Sequence, residues 1–123
     1  MPTYSDYFVA AIDTLVKLPL GVDPIYALGE AIAYCVHAAN RFGIQAGDKV
    51  AVVGCGFMGL VCLQLASCQG AGFICAIDPL AERQEMGRQF GAAAALDDQE
   101  RRLNLFGIGD GRTLPVRFWC FFW

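Results

Sequence analysis

Val50-Ala51-Val52-Val53-Gly54-Cys55-Gly56-Phe57-Met58-Gly59 carries an apolar run into a G-x-G-x-x-G, and a second apolar run, Phe73-Ile74-Cys75-Ala76-Ile77, ends in Asp78. The first run reads as a buried strand and the glycines as a tight turn. The residues after them read as a helix. Gly59 and Asp78 stand 19 residues apart, close to the roughly 20 that separate glycines and acid in a dinucleotide-binding βαβ unit.

Outward from this centre, Lys49 to Val53 is expected as the first strand, Phe57 to Gln69 as a helix ended by Gly70, and Gly72 to Ile77 as the second strand. Pro79 to Phe90 reads as a second helix stopped by Gly91, and Ala92 to Leu96 as a weak third strand, alanine having little β preference. The order β-α-β-α-β is one half of a doubly wound, Rossmann-type parallel sheet in an α/β fold. Upstream, Asp23-Pro24 is a good helix opening, an Asp cap followed by proline. Ile25, Leu28, Ile32, Val36 and Ala39 follow at helical spacing, with Gly43 as the stop. Tyr7-Phe8-Val9-Ala10 and Leu15-Val16-Lys17-Leu18 read as short strands. Four parts result: 1–22, a connecting helix within 23–45, the nucleotide-binding half over 46–98, and 99–123. That last part is rich in aromatics, ends Arg117-Phe118-Trp119-Cys120-Phe121-Phe122-Trp123, and shows no periodic element. A shifted reading frame after Asp98 and a native divergent end both account for such a tail.

The chemistry follows from residue type. A pyrophosphate is met by the unpaired N–H groups and positive dipole end of a helix N-terminus. Gly54 allows the turn, Gly56 lets phosphate approach the backbone, and Gly59 lets helix and strand pack closely. Asp78 is placed to accept hydrogen bonds from the adenosine ribose, and its charge opposes a 2′-phosphate, which favours NAD over NADP. Asp78 also reads as a helix cap ahead of Pro79. Arg83 reads equally as a cofactor contact and as a solvated helix charge.

With 123 residues, 56% hydrophobic and 17% charged, and a net charge of −3, the chain is an apolar-rich globular unit of one domain at most. It has no basic stripe suited to nucleic acid. Its start lacks the basic and apolar regions of a signal peptide. Six cysteines without a C-x-x-C point to reduced, cytoplasmic thiols rather than disulfides or structural zinc. Residues 51–77 carry no charge, a length that spans a bilayer. Five glycines and the polar Gln64, Ser67 and Gln69 interrupt that stretch, and buried parallel strands read the same way, so no membrane partner is expected.

In series, these segments resemble the medium-chain, zinc-dependent alcohol dehydrogenases of the sorbitol and threonine dehydrogenase kind. The resemblance runs from Tyr4 to Asp97. It rests on Tyr4-Ser5-Asp6-Tyr7, Leu18-Pro19-Leu20-Gly21-Val22-Asp23 (family "LPDG", Leu20 replacing Asp), Glu30-Ala31-Ile32 (family "EPL", Ala31 replacing Pro), Ala46 through Gly59, and Gly87 to Ala94. The resemblance implies a barrel-like catalytic domain with zinc and a doubly wound domain for NAD(P), with hydride passing from a zinc-bound alkoxide to the nicotinamide. Gly54, Gly56, Gly59, Asp78 and Arg83 carry over as cofactor residues. Residues 1–22 match the end of the catalytic domain. Glu30 matches a glutamate of the family's zinc site, yet a charge on a solvated helix face explains it as well. The partner cysteine and histidine have no counterpart here. His37 is roughly 10 Å from Glu30 along a helix, too far to share a metal.

The expectation is a truncated NAD-binding segment of an alcohol or polyol dehydrogenase, inactive alone and not binding zinc. A binding-only module that pairs with a full-length subunit, as a homo- or hetero-oligomer, is the second reading. Another nucleotide fold, such as a methyltransferase, is the third, although such folds usually carry an acid where Val53 stands.

Overall fold

A computed structural model describes residues 6–97 and the backbone of 116–120. Four parallel strands form one sheet in the order β3-β2-β1-β4: β1 Lys49–Val53, β2 Phe73–Ile77, β3 Ala94–Leu96 and β4 Val116–Cys120. Helix α1 spans Gly29–Phe42, α2 Phe57–Cys68 and α3 Ala81–Gln89. The β-α-β-α-β order expected for 46–98 is present, with boundaries shifted by at most two residues at any end.

Strand alternation explains the layers. Val50, Val52, Ile74 and Ala76 point to one face and form the main core with Leu60, Leu63 and Ala66 of α2 and Cys35 and Ala39 of α1. Ala51 and Cys75 point the other way into a smaller cluster with Phe73, Ile77, Ala94 and Leu96, which contains no helix residue. Every core strand is thus apolar on both faces, as parallel strands are.

Upstream of α1 the structure departs from the sequence reading. Residues 7–10 and 15–18 form no strand; they flank a 3-10 turn, Ile12–Thr14, and are solvent-exposed. A strand needs a neighbour to receive its backbone groups, and neither run meets one among the described residues. Asp23 does cap a turn, its Oδ1 accepting from the Ile25 N–H at 3.0 Å. That turn is a 3-10 helix over Pro24–Tyr26, and the α-helix begins only at Gly29. The buried face of α1 keeps Ala39 of the expected stripe but is otherwise turned from it. Ile32 and Val36 are exposed, while Cys35 and Ala39 are buried. Small residues here let α1 lie close against α2, where the Cys35 thiol faces the Met58 carbonyl at 3.7 Å. Gly43 ends the helix in a left-handed conformation, φ 57°, as expected.

The largest addition is β4. No element is expected in 99–123, yet Val116–Cys120 pairs in parallel register with all of β1, Val53 opposite Cys120. Strand order therefore reverses beside β1, the arrangement in which doubly wound sheets bind ligands outside the carboxyl ends of their strands.

Candidate nucleotide-binding site

The site is built where β1 turns into α2. Gly54 continues the ladder, its N–H donating to the Ile77 carbonyl at 2.8 Å, then takes φ +93°, a conformation L side chains rarely adopt. This turns the chain sharply into Cys55 and Gly56. A methyl on Gly59 would overlap the Gly54 carbonyl, so only glycine lets the helix start this close to the strand.

Helix α2 has no side-chain cap at its N-terminus. Its first turn-to-turn hydrogen bond is Leu60 N–H to Gly56 carbonyl, at 2.9 Å. The N–H groups of Gly56, Phe57, Met58 and Gly59 have no partner among the described residues. No described atom lies within 4 Å of where a Gly56 Cβ would stand. Four donors at a positive helix end thus border open space on the Gly56 side, as an anion site requires.

Asp78 lies beside this turn and is 8% exposed, the one polar residue among the buried side chains of the described residues. Its Oδ2 accepts from the Cys55 N–H at 2.8 Å, and its Oδ1 accepts from the Leu80 N–H at 2.9 Å. The carboxylate ties the glycine turn to the entry of α3. Each oxygen keeps a further lone pair for a ligand hydroxyl. Gln84 holds the same corner from the other side, its Nε2 donating to the Asp78 carbonyl at 2.9 Å. Arg83, one turn into α3, is half-buried; its guanidinium has no hydrogen-bond or ion-pair partner among the described residues.

The Cys55 thiol is fully buried beneath the turn. Burial and the neighbouring Asp78 carboxylate push it up to about 11. Burial likewise pushes up Cys62, with its neighbour Cys35 adding to the effect, and Cys75. These are inert core thiols rather than nucleophiles or metal ligands.

The glycine turn and Asp78 are joined through the Cys55 N–H, Arg83 lies in the first turn of α3, and Glu30 stands apart on α1. It is exposed in the first turn of α1. Among the described residues no three of His, Cys, Asp and Glu gather where they could hold a metal ion. The described donors alone therefore do not fit a catalytic zinc, which takes about three protein ligands. The sequence reading missed β4 and Gln84. The signal for β4 was the aromatic, β-favouring run after Pro115; Gln84 had none. No helix of the described residues is long and apolar enough to cross a membrane.

No protein-family model matches the chain. Among characterised proteins, D-xylulose reductase A of Aspergillus niger is 28% identical over 93% of this chain and 34% of its own length. Among solved structures, an alcohol dehydrogenase from Thermus sp. ATN1 superposes with a TM-score of 0.65 at 31% identity, over 74% of this chain and 27% of that one. A zinc-binding dehydrogenase from Sinorhizobium meliloti, solved with NADP bound, does so with a TM-score of 0.66 at 32% identity, over 72% and 26%. The chain spans about a third of the length of the curated relatives it matches. On motif series, sheet order and these likenesses, the chain belongs to the medium-chain, zinc-type alcohol dehydrogenase family.

Proposed function

We propose that this chain holds the adenosine and pyrophosphate half of NAD, as the cofactor-binding segment of a dehydrogenase acting on an alcohol or polyol. The observation that carries this reading is the set of unpaired N–H groups from Gly56 to Gly59, bordering open space beside the Asp78 carboxylate. The pyrophosphate takes the N–H groups, the adenosine ribose takes the free lone pairs of Asp78, and Arg83 flanks the adenosine. The bound nicotinamide cofactor supplies hydride acceptance; the residues named here bind and orient its other half. Carboxylate against 2′-phosphate sets the preference for NAD. The chain alone turns nothing over, its described donors not fitting the family's zinc. In this reading 1–22 corresponds to the end of the catalytic domain and 46–98 to the nucleotide half, in a cytoplasmic setting.

The test is fluorescence titration of the purified chain with NADH and NADPH, repeated for Asp78→Gly. Tighter binding of NADH, with the variant losing more NADH than NADPH affinity, supports the reading. Equal loss for both reduces Asp78 to a structural cap, and no binding by the wild type overturns the proposal. NADH production from NAD, zinc and a polyol panel would refute the absence of turnover.

A second reading, an interaction module that pairs with a longer subunit, draws on one observation: residues 6–26 are exposed throughout, and include Tyr7, Phe8, Val9, Ile12, Val16 and Leu20. Exposed apolar stretches of this extent mark contact surfaces. Sedimentation of a clean monomer would argue against it.

A further inference from the structure

Helix α3 contains a glycine, Gly87, in its interior and on its buried face. Glycine is the poorest helix former after proline, so a reason is needed for it here. A Cβ at Gly87 would stand 2.7 Å from the Ala76 Cβ, 3.7 Å from the Cys55 Sγ and 3.8 Å from Leu63 Cδ1. The helix therefore rests on β2 with its backbone almost against the Ala76 methyl, directly above the residue that follows Gly54 in the glycine turn. Arg83 lies one turn earlier on the same helix, four residues from Gly87, and the two share a face.

These placements link into one unit. Cys55 donates to Asp78, Asp78 accepts from Leu80 at the entry of α3, and α3 is seated by Gly87 on Ala76 with Cys55 alongside. The depth of the seat fixes how far Arg83 stands from the glycine turn. We propose that the Gly87–Ala76 contact is a positioning device for the proposed nucleotide site, setting how far Arg83 stands from the Asp78 corner where the adenosine ribose would bind. A methyl at 87 drives α3 off the sheet by about 1 Å, the distance needed to restore an ordinary carbon–carbon contact. That shift moves Arg83 directly, while α2 keeps its own seat on the turn after β1 through Gly59 against the Gly54 carbonyl. The inference rests on the adenosine reading above, and its test separates the two.

The probes are AMP, which needs that corner, and inorganic pyrophosphate, which needs only the helix start. Both are titrated calorimetrically into the full chain, with circular dichroism confirming that each variant is folded. Gly87→Ala is expected to weaken AMP about tenfold, the loss of one charge-assisted contact, and to leave pyrophosphate within about twofold. The swap Ala76→Gly with Gly87→Ala keeps one methyl at the seat and is expected to restore AMP binding. An unchanged AMP affinity in folded Gly87→Ala, equal weakening of both probes, or failure of the swap to restore AMP overturns the inference while leaving the nucleotide reading standing. A wild type that binds neither probe overturns both. Should Gly87→Ala not fold, the swap alone decides: AMP affinity near wild type supports the seat, and a tenfold loss refutes it.

Discussion

Replacing Gly56 by alanine should separate binding from stability. Gly56 has φ −72° and ψ −172°, extended backbone that alanine adopts without strain, and no described atom lies within 4 Å of the added methyl. Nothing in the folded chain therefore opposes the change. The unfolded chain loses freedom, so stability should rise by about 0.4–1 kcal/mol, a few degrees in melting temperature by the usual scaling for a chain of this size. The same methyl stands in the open space beside the four unpaired N–H groups. A phosphate oxygen accepting from them at hydrogen-bond distance cannot share that space. Two charge-assisted hydrogen bonds lengthened or lost amount to roughly 3 kcal/mol, or about a hundredfold in affinity. Thermal melting and an NADH titration on the same preparation read both quantities. Unchanged NADH affinity would mean that the space beside Gly56 is not where phosphate sits. A large fall in melting temperature would mean that Gly56 is there for the fold, as Gly59 is.

Gly59→Ala should behave in the opposite way: its methyl overlaps the Gly54 carbonyl, so urea unfolding should show a loss of about 1–3 kcal/mol or more. Asp78→Asn can satisfy only one of the Cys55 and Leu80 N–H groups. Leu80 is exposed and water can serve it, so the expected loss is about 2 kcal/mol, read as a lower urea midpoint at unchanged slope; Asp78→Ala should lose more. Burial, helped by the Asp78 carboxylate, pushes the folded Cys55 thiol up to about 11 from its ordinary value of 9.0. Above pH 9 the unfolded chain releases its proton first, so stability is complete below 9 and falls between 9 and 11, by on the order of 3 kcal/mol from this group. Cys55→Ala should flatten that part of the pH profile, and an unchanged slope would refute the assignment.

The sheet was legible in the sequence because its core strands are short, continuous apolar runs, as buried parallel strands are. Val50, Val52, Ile74 and Ala76 alternate with Ala51 and Cys75, and each run ends at a glycine or an acid. The helix after the glycines could be read because the thirteen residues between Gly56 and Gly70 are mostly apolar, too long a run for one strand, and end at a glycine stop. Elements that depend on distant partners could not be read. The face of α1 is chosen by how closely α2 can approach, which keeps Ala39 of the expected stripe and favours Cys35 over the larger Ile32 and Val36. The runs at 7–10 and 15–18 have strand composition but meet no strand among the described residues. Strand β4 is the converse case: a segment with no periodic signal is extended because β1 offers it a full edge of backbone groups.

Asp78 shows why even a well-spaced residue needs the structure to be understood. Spacing marks it as a ribose acceptor, and composition marks it equally as a cap ahead of Pro79. The geometry gives the cap a longer reach: the carboxylate holds both Leu80 at the entry of α3 and Cys55 in the glycine turn, 23 residues away. It thereby orients the turn whose N–H groups face the proposed phosphate position. Removing it must disturb pyrophosphate and ribose ends together, and a loss of NADH binding in an Asp78 variant cannot by itself prove a ribose contact. The ratio of NADH to NADPH affinity can. The scaffold contribution acts on both cofactors alike, and only direct proximity of the carboxylate to the 2′ position distinguishes a hydroxyl from a phosphate.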